Sequence, residues 1–361
     1  MNEGRAEQTD VTLPSWKEVL STPPPRRVLD DEPPPADEPE VRDRVLVHVI
    51  WEVLLAVAAV GLVLANLSQA PAQHLTELFG SAAVVGLLAV GLSFSLRTAT
   101  PNLAVGVIAG GTGALTAVLI RDDWPVPVAI AAGLGAALGT GVLLGLLVML
   151  LSVPAWAVTL GAAAALLAVV SGLTRGATVP ADLGTYPAVP AFVVFAGLSM
   201  GGGAVWLIPG VRRALGGLRR EGEPAERPGL RAGLGALAGL AGSSLLAGVA
   251  GIADLLRQQG AVVPVEAVPV TALAAVLIGG VSVYGRRAGI FGTLFGVVIM
   301  VSAASLLALK DTPAWIVQAF AGGMVVAGLL VTRLIEGSNA VLNRDRKRRR
   351  PRAAALDARK V

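Results

Sequence analysis

The chain has 361 residues, of which 54% are hydrophobic and only 15% charged, and its mean hydropathy is +0.70. Soluble domains carry more charge than this, so the composition points to a membrane protein. There is no cysteine, which excludes disulfides, thiolate metal sites and thiol nucleophiles. The net charge of +4 is carried mainly by arginines in tails and selected loops. That pattern fits membrane orientation and argues against a nucleic-acid partner.

Residues 1–44 are polar and hold two triple prolines, "TPPPRR" and "EPPPAD". Such a segment buries too little apolar surface to fold alone and is expected to be a disordered, Pro-rich cytoplasmic tail, or a docking peptide in polyproline II form. The opening "MNEGRAEQTD" lacks the basic and apolar regions of a cleaved signal peptide. The first apolar helix is therefore expected to remain as an anchor.

Apolar runs follow at about 45–67, 77–97, 103–120, 127–151, 155–174, 189–208, 231–252, 267–283, 289–309 and 315–335. Each is long enough to cross a hydrocarbon core of ~30 Å as a helix, whereas a barrel would show alternating segments of ~10 residues. The expected class is an all-α, polytopic membrane protein with about ten transmembrane helices over 45–335, closed by a basic cytoplasmic tail at 336–361. Positive residues collect on one side of this topology: Arg42, Arg44, Arg97, the cluster from Arg212 to Arg231, Arg286, Arg287 and the tail "NRDRKRRRPR". The other side receives Arg121, Arg175, Arg257 and Lys310, each with an aspartate not far away. The positive-inside rule then places both termini in the cytoplasm.

Ionisable residues within the spans are few. His48 and Glu52, four apart on the first helix, share a face near its cytoplasmic end. A proton relay or metal site would use such a pair, but no third ligand is near, and an interfacial pair is the preferred reading. The stretch "SFSLRTATPNLAVG", 93–106, places Ser93, Ser95 and Asn102 around Pro101 in the connection between the second and third helices. Two readings stay open. Irregular polar backbone at membrane depth lines a translocation path, and a plain cytoplasmic turn has its Ser and Thr side chains bonded back to their own helix. Trp156 and Trp315 either flank a path or act as interfacial anchors.

Glycine numbers 44. Pairs four apart, such as Gly285 with Gly289 and Gly292 with Gly296, let helix backbones approach closely where lipid gives no apolar drive to associate. A phosphate-cradling role is disfavoured, because G-x-x-x-x-G-K-[ST] occurs nowhere. The chain is not expected to hydrolyse ATP, and no catalytic or metal-binding residue is nominated. "VPAWAVT" at 153–159 is echoed by "TPAWIVQ" at 312–318, entering from opposite sides on this topology, as inverted repeats would. Coincidence between Ala- and Val-rich segments explains the echo equally well.

The segment "AAVLIGGVSVYGRRAGIFGTLFGVVIM", 274–300, resembles a motif of ribose-type, monosaccharide ABC transporter permeases, a branch of the wider sugar, branched-chain amino acid and nucleoside permease family. Gly279, Gly280, Ser282, Gly285, Gly289, Gly292, Thr293 and Gly296 carry the likeness, and Arg286 stands where a second glycine is usual. "SVPAWAVTLG", 152–161, is similar to a second family motif. The resemblance implies the membrane subunit of an importer that pairs with a second permease subunit and stands on cytoplasmic ATP-binding subunits. Those subunits bind ATP and Mg, no cofactor belongs to this chain, and an extracytoplasmic solute-binding protein delivers the solute. It points to a monosaccharide, and the Arg-rich, Lys-poor, Ala/Gly-rich usage points to a bacterial plasma membrane.

Ser93, Ser95, Asn102, Trp156 and Thr159 are the path candidates. Arg212, Arg213, Arg219, Arg220, Arg286 and Arg287 are the candidates for ATPase contact. Two departures stand out. Asn102 and Ala104 replace the family's Asp and Ser, which is closer to the amino acid and nucleoside branches. The loop 211–233 is compressed and carries Pro224 and Pro228 where the family has a coupling helix. Rivals are an ATPase-independent transporter or channel, which would need paired acids or a coordinating ring inside the spans, and a degenerate permease-like subunit that contributes structure alone.

Overall fold

The computed structural model describes residues 45–71, 73–215, 230–262, 269–283 and 290–333, with side chains from 49 onward and without those of 212, 213 and 230–232. Its helices are α1 (Val45–Gln69), α2 (Gln73–Arg97), α3 (Val105–Arg121), α4 (Val126–Leu151), α5 (Ala155–Thr174), α6 (Ala188–Trp206), α7 (Pro209–Leu215), α8 (Leu230–Gln258), α9 (Val270–Ile278), α10 (Gly292–Leu309) and α11 (Ala314–Arg333). Eight of them are long and apolar enough to cross a membrane, and α3, at 17 residues, is a shorter apolar helix.

The expected helix at 267–283 is shorter than the sequence suggests. Helix α9 has nine residues and rises about 14 Å, half of a span. Its end is fixed by the Gly279–Gly280 pair: the Gly280 amide donates to the Leu277 carbonyl oxygen and the Val281 amide to that of Val276. Gly280 sits at φ +81°, the left-handed position such a cap requires. The apolar pattern runs on past the glycines, but the backbone does not.

Helices α2, α3 and α8 form the middle of the bundle, with α4 against α8 and α3, α5 against α3, and α6 against α2. Helix α10 joins α1 to α2, and α9 lies on α2 and α10. Glycines set these approaches. A Cβ on Gly141 of α4 would lie 2.6 Å from the Leu240 carbonyl oxygen of α8, and one on Gly292 would collide with the Gly279 carbonyl oxygen across the α9–α10 break. Packing is thus what Gly292 and Gly296 serve, while Gly285 and Gly289 lie outside the described residues.

At the end of the bundle that holds the α1–α2 hairpin, β1 (Val179–Pro180) pairs antiparallel with β2 (Gly260–Ala261). The pairing ties two connections that alternating spans put on one side. On that same side Arg121 meets Asp122 at 3.1 Å and Arg257 meets Asp254 at 3.5 Å, the expected neighbouring aspartates. Both Pro-Ala-Trp echoes open a helix directly after their proline, α5 after Pro154 and α11 after Pro313.

Candidate functional site

The connection 98–104 between α2 and α3 is irregular, yet it is buried: Thr98, Thr100, Asn102 and Ala104 are each 0% exposed. Every polar group brought there must find a partner inside the protein. The end of α2 is closed by the Ala99 amide on the Leu96 carbonyl oxygen and the Thr100 amide on that of Ser95, the same capping pattern as at α9. Here the left-handed position, at φ +60°, belongs to Ala99 instead of glycine.

Side chains complete the turn. Thr98 Oγ1 donates to the Ser95 carbonyl oxygen at 2.9 Å and shares a 2.7 Å hydrogen bond with Thr100 Oγ1. Ser95 Oγ accepts the Asn102 amide at 3.2 Å and donates to the Leu92 carbonyl oxygen. To this extent the local turn reading describes the segment. Neighbouring helices then clamp it in a way no local turn requires.

Asn102 Nδ2 donates to Ser243 Oγ at 2.7 Å and to Ser244 Oγ at 3.1 Å, both in the middle of α8, while its Oδ1 accepts the Ala104 amide at 3.1 Å. Thr159 Oγ1, one turn into α5, accepts the Leu103 amide at 3.1 Å and lies 3.1 Å from the Pro101 carbonyl oxygen. Pro101 and Leu103 flank Asn102, so α5 and α8 grip the same three residues. Gly239 of α8 makes room for this arrangement, because a Cβ there would run into Thr98 Oγ1.

The structure therefore brings Ser95, Asn102 and Thr159 into one hydrogen-bonded group and adds Ser243 and Ser244. Ser93 is buried nearby on α2, at 2% exposure, with no hydrogen-bond partner for its hydroxyl among the described residues. Trp156 lies outside the group: it is 53% exposed on the surface of the chain, as is Trp315 at 68%. Beside the site Arg97, the last residue of α2, is only 4% exposed and reaches α6, with a guanidinium nitrogen 3.5 Å from where a Gly202 Cβ would stand.

Of the residues expected to touch an ATPase, Arg212 and Arg213 lie on α7, with side chains outside the described set. Arg219, Arg220, Arg286 and Arg287 fall outside the described residues altogether. Helix α7 is a short element the sequence did not announce. It ends at Leu215, upstream of both loop prolines, and packs on α8, where a Cβ on Gly235 would sit 2.6 Å from the Leu215 carbonyl oxygen. Glu52, expected to pair with His48, accepts the Phe291 backbone amide at 3.2 Å. The His48 side chain is outside the described set. Among the described residues no group of three or more His, Cys, Asp or Glu residues could hold a metal ion.

Residues 74–216, which contain the buried connection and its α5 clamp, match the family model described as branched-chain amino acid transport system / permease component. This segment is similar to that permease family. Curated relatives extend the similarity beyond it. The autoinducer 2 import system permease protein LsrC of Salmonella paratyphi B is 28% identical over 287 residues, covering 72% of this chain and 78% of that protein. The LsrC proteins of Escherichia coli strain SMS-3-5, 28% identical with the same coverage, and of Yersinia enterocolitica, 26% identical over 72% and 74% of the two chains, align similarly. No solved structure matches the chain at a significant level. With eight helices among the described residues long and apolar enough to cross a membrane, the chain is a multi-pass membrane protein similar to permease components of transport systems. Of the clamp's members, Ser243 and Ser244 lie beyond the matched segment.

Proposed function

We propose that this permease is the membrane-spanning subunit of an ABC importer that moves a small polar solute of the monosaccharide class across a bacterial plasma membrane. ATP-binding subunits on the cytoplasmic side supply the energy, a solute-binding protein delivers the solute from the other side, and a second permease subunit completes the pathway. Both termini face the cytoplasm, where the arginine-rich loops collect. Arg212, Arg213, Arg219, Arg220, Arg286 and Arg287 belong to that face and supply the contact with the ATPases.

The observation that carries the reading is the clamped break at 98–104 within the family-matched segment. A buried, irregular connection between two helices, with its polar groups held by two further helices, is tolerated where backbone lines or shapes a path. Ser93, whose buried hydroxyl has no hydrogen-bond partner among the described residues, and the group around Ser95, Asn102 and Thr159 are the path residues. Trp156, facing outward, serves as an interfacial anchor or as a contact with the second subunit. The autoinducer 2 importers among the relatives support a sugar-like solute.

The test is affinity purification of the chain from its native membrane in mild detergent, with mass spectrometry of what accompanies it. Recovery of a P-loop ATPase and a solute-binding protein is expected, and the latter is then screened against sugars, amino acids and nucleosides. Repeated recovery of the chain without any ATPase, in detergent that keeps a known importer intact, would sink the reading.

A further inference from the structure

Trp51 and Glu52 are adjacent on α1, and each reaches one lip of the break between α9 and α10. Trp51 Nε1 donates to the carbonyl oxygen of Ile278, the last residue of α9, at 2.9 Å. Glu52 Oε1 accepts the amide hydrogen of Phe291, the residue just ahead of α10, at 3.2 Å. These are the groups a helix end leaves without an internal partner, a terminal carbonyl on one side and a leading amide on the other. A carboxylate at a helix start also faces the positive end of its dipole.

Gly279 and Gly292 approach so closely that neither position accepts a Cβ, and the Gly280 position is 3.7 Å from the Trp51 ring. Helix α1 is a peripheral element whose other polar tie to α10, through Asn66, lies at its opposite end. Its buried apolar side chains among the described residues are Leu55 and Ala59, while Val49, Ile50, Val53, Leu54 and Val57 are all exposed. At this end of α1, where most apolar side chains are exposed, two adjacent polar side chains meet the two ends of one break and are placed to fix it.

We infer that Trp51 and Glu52 are positioning residues of the transport cycle: they lock the ends of α9 and α10 in register from α1. The transport half of this inference rests on the importer reading above, and the contact itself does not. The signal was partly visible in the sequence as an acidic residue inside the first span, but its partner is a backbone amide 239 residues away.

Two measurements on the full-length chain test it. The first is hydrogen–deuterium exchange in lipid nanodiscs. Glu52→Leu is expected to speed exchange in peptides covering 290–295 by about tenfold, the scale of losing one protecting hydrogen bond. Trp51→Phe speeds it several-fold in peptides covering 278–283. Glu52→Gln, which keeps an acceptor oxygen, stays close to wild type. The second, in the complex with its ATPase partner, is the ratio of solute-stimulated to basal ATP hydrolysis. That ratio falls several-fold in Glu52→Leu and Trp51→Phe at unchanged yield of complex, and Glu52→Gln rescues it.

Exchange at wild-type rates in both Glu52→Leu and Trp51→Phe overturns the contact. Faster exchange with an unchanged hydrolysis ratio overturns the positioning role. The two variants act on different lips, so a folding defect in one leaves the other to decide. If the wild-type chain brings down no ATPase, the importer reading and the transport role fall together, while the exchange result still decides the contact.

Discussion

The Asn102 amide, on the connection between α2 and α3, donates to Ser243 Oγ 2.7 Å away in the middle of α8, across 141 residues of sequence. With the second donation to Ser244 and the Ala104 amide on Oδ1, the side chain is held on both of its polar atoms in a wholly buried setting. Asn102→Leu removes all three hydrogen bonds and strands the Ala104 amide. Its expected cost is about 1–3 kcal/mol, toward the low end in a bilayer, with a loss of solute uptake that exceeds the loss of protein. Asn102→Asp should retain more, because the Ser243 and Ser244 hydroxyls can turn to donate to a carboxylate. Thermal unfolding in detergent beside uptake in membranes checks both, and a wild-type profile for Asn102→Leu would remove Asn102 from the site.

Much of this arrangement could be read from sequence and part could not. The polar interruption at 93–106 stood out against its apolar flanks, and Pro101 signalled broken helix. Ser243 and Ser244 did not stand out, because two serines inside "AGLGALAGLAGSSLLAGVAG" look like further small packing residues. Their partner is set by how α2, α3 and α8 cross, which no local pattern encodes. The early end of α9 was missed for a related reason. The apolar run continues through Val281 and Val283, so periodicity extends the helix past the Gly279–Gly280 pair, which packs and caps at once. Trp156 was placed beside the path by residue type alone, and burial is what separates it from Thr159, three positions on.

Ala99 occupies the left-handed cap at φ +60° that α9 gives to Gly280. A left-handed alanine costs roughly 1 kcal/mol that glycine does not pay, offset by the greater chain entropy glycine loses on folding. Ala99→Gly is therefore expected to leave the melting temperature unchanged or raise it by a few degrees. A marked drop in thermal unfolding would show that the alanine methyl packs against something essential.

Glycines that look alike in sequence should respond differently to alanine. Gly292 faces the Gly279 carbonyl oxygen so closely that an added methyl must push α9 and α10 apart, whereas Gly323 of α11 has nothing within 4 Å. Gly292→Ala is expected to destabilise by about 2 kcal/mol or more, in the range of overpacked interiors. Gly323→Ala should be neutral or gain up to about 1 kcal/mol from helix propensity. Fluorescence-detected size exclusion after a heating series ranks the two, and equal behaviour would contradict the close contact.

Tyr186 lies on the connection between α5 and α6, with its phenol 3.3 Å from the Gly80 carbonyl oxygen. Burial raises its pKa above the ordinary 10.0, opposed by the nearby Arg257 charge and aided by Asp254. A raised folded value means the folded chain holds this proton longer than the unfolded chain. The stability it contributes is complete below pH 10 and is lost as pH climbs through the raised value. Only two tyrosines are present, so absorbance titration near 295 nm in a Tyr284→Phe background isolates it. Its transition is expected above that of free tyrosine, and Arg257→Gln should move it further upward. A midpoint at or below the free value would refute the burial assigned to it.

Asn66 gives the opposite end of α1 a second polar tie to α10. Its Nδ2 donates to the Leu62 and Ser302 carbonyl oxygens, two groups that can only accept, so Oδ1 is left to receive the Ser305 hydroxyl at 2.8 Å. Ser305 has spent its one proton there, and His74 must therefore donate to it through Nε2, at 2.7 Å. Asn66→Leu breaks the chain at its centre and is expected to cost about 1–2 kcal/mol, while His74→Gln, which keeps a donor, should cost less than half as much. The order matters more than the size. If His74→Gln proved the more damaging in thermal unfolding, the direction of donation deduced from Asn66 would be wrong, and Ser305 would have to donate to the imidazole instead.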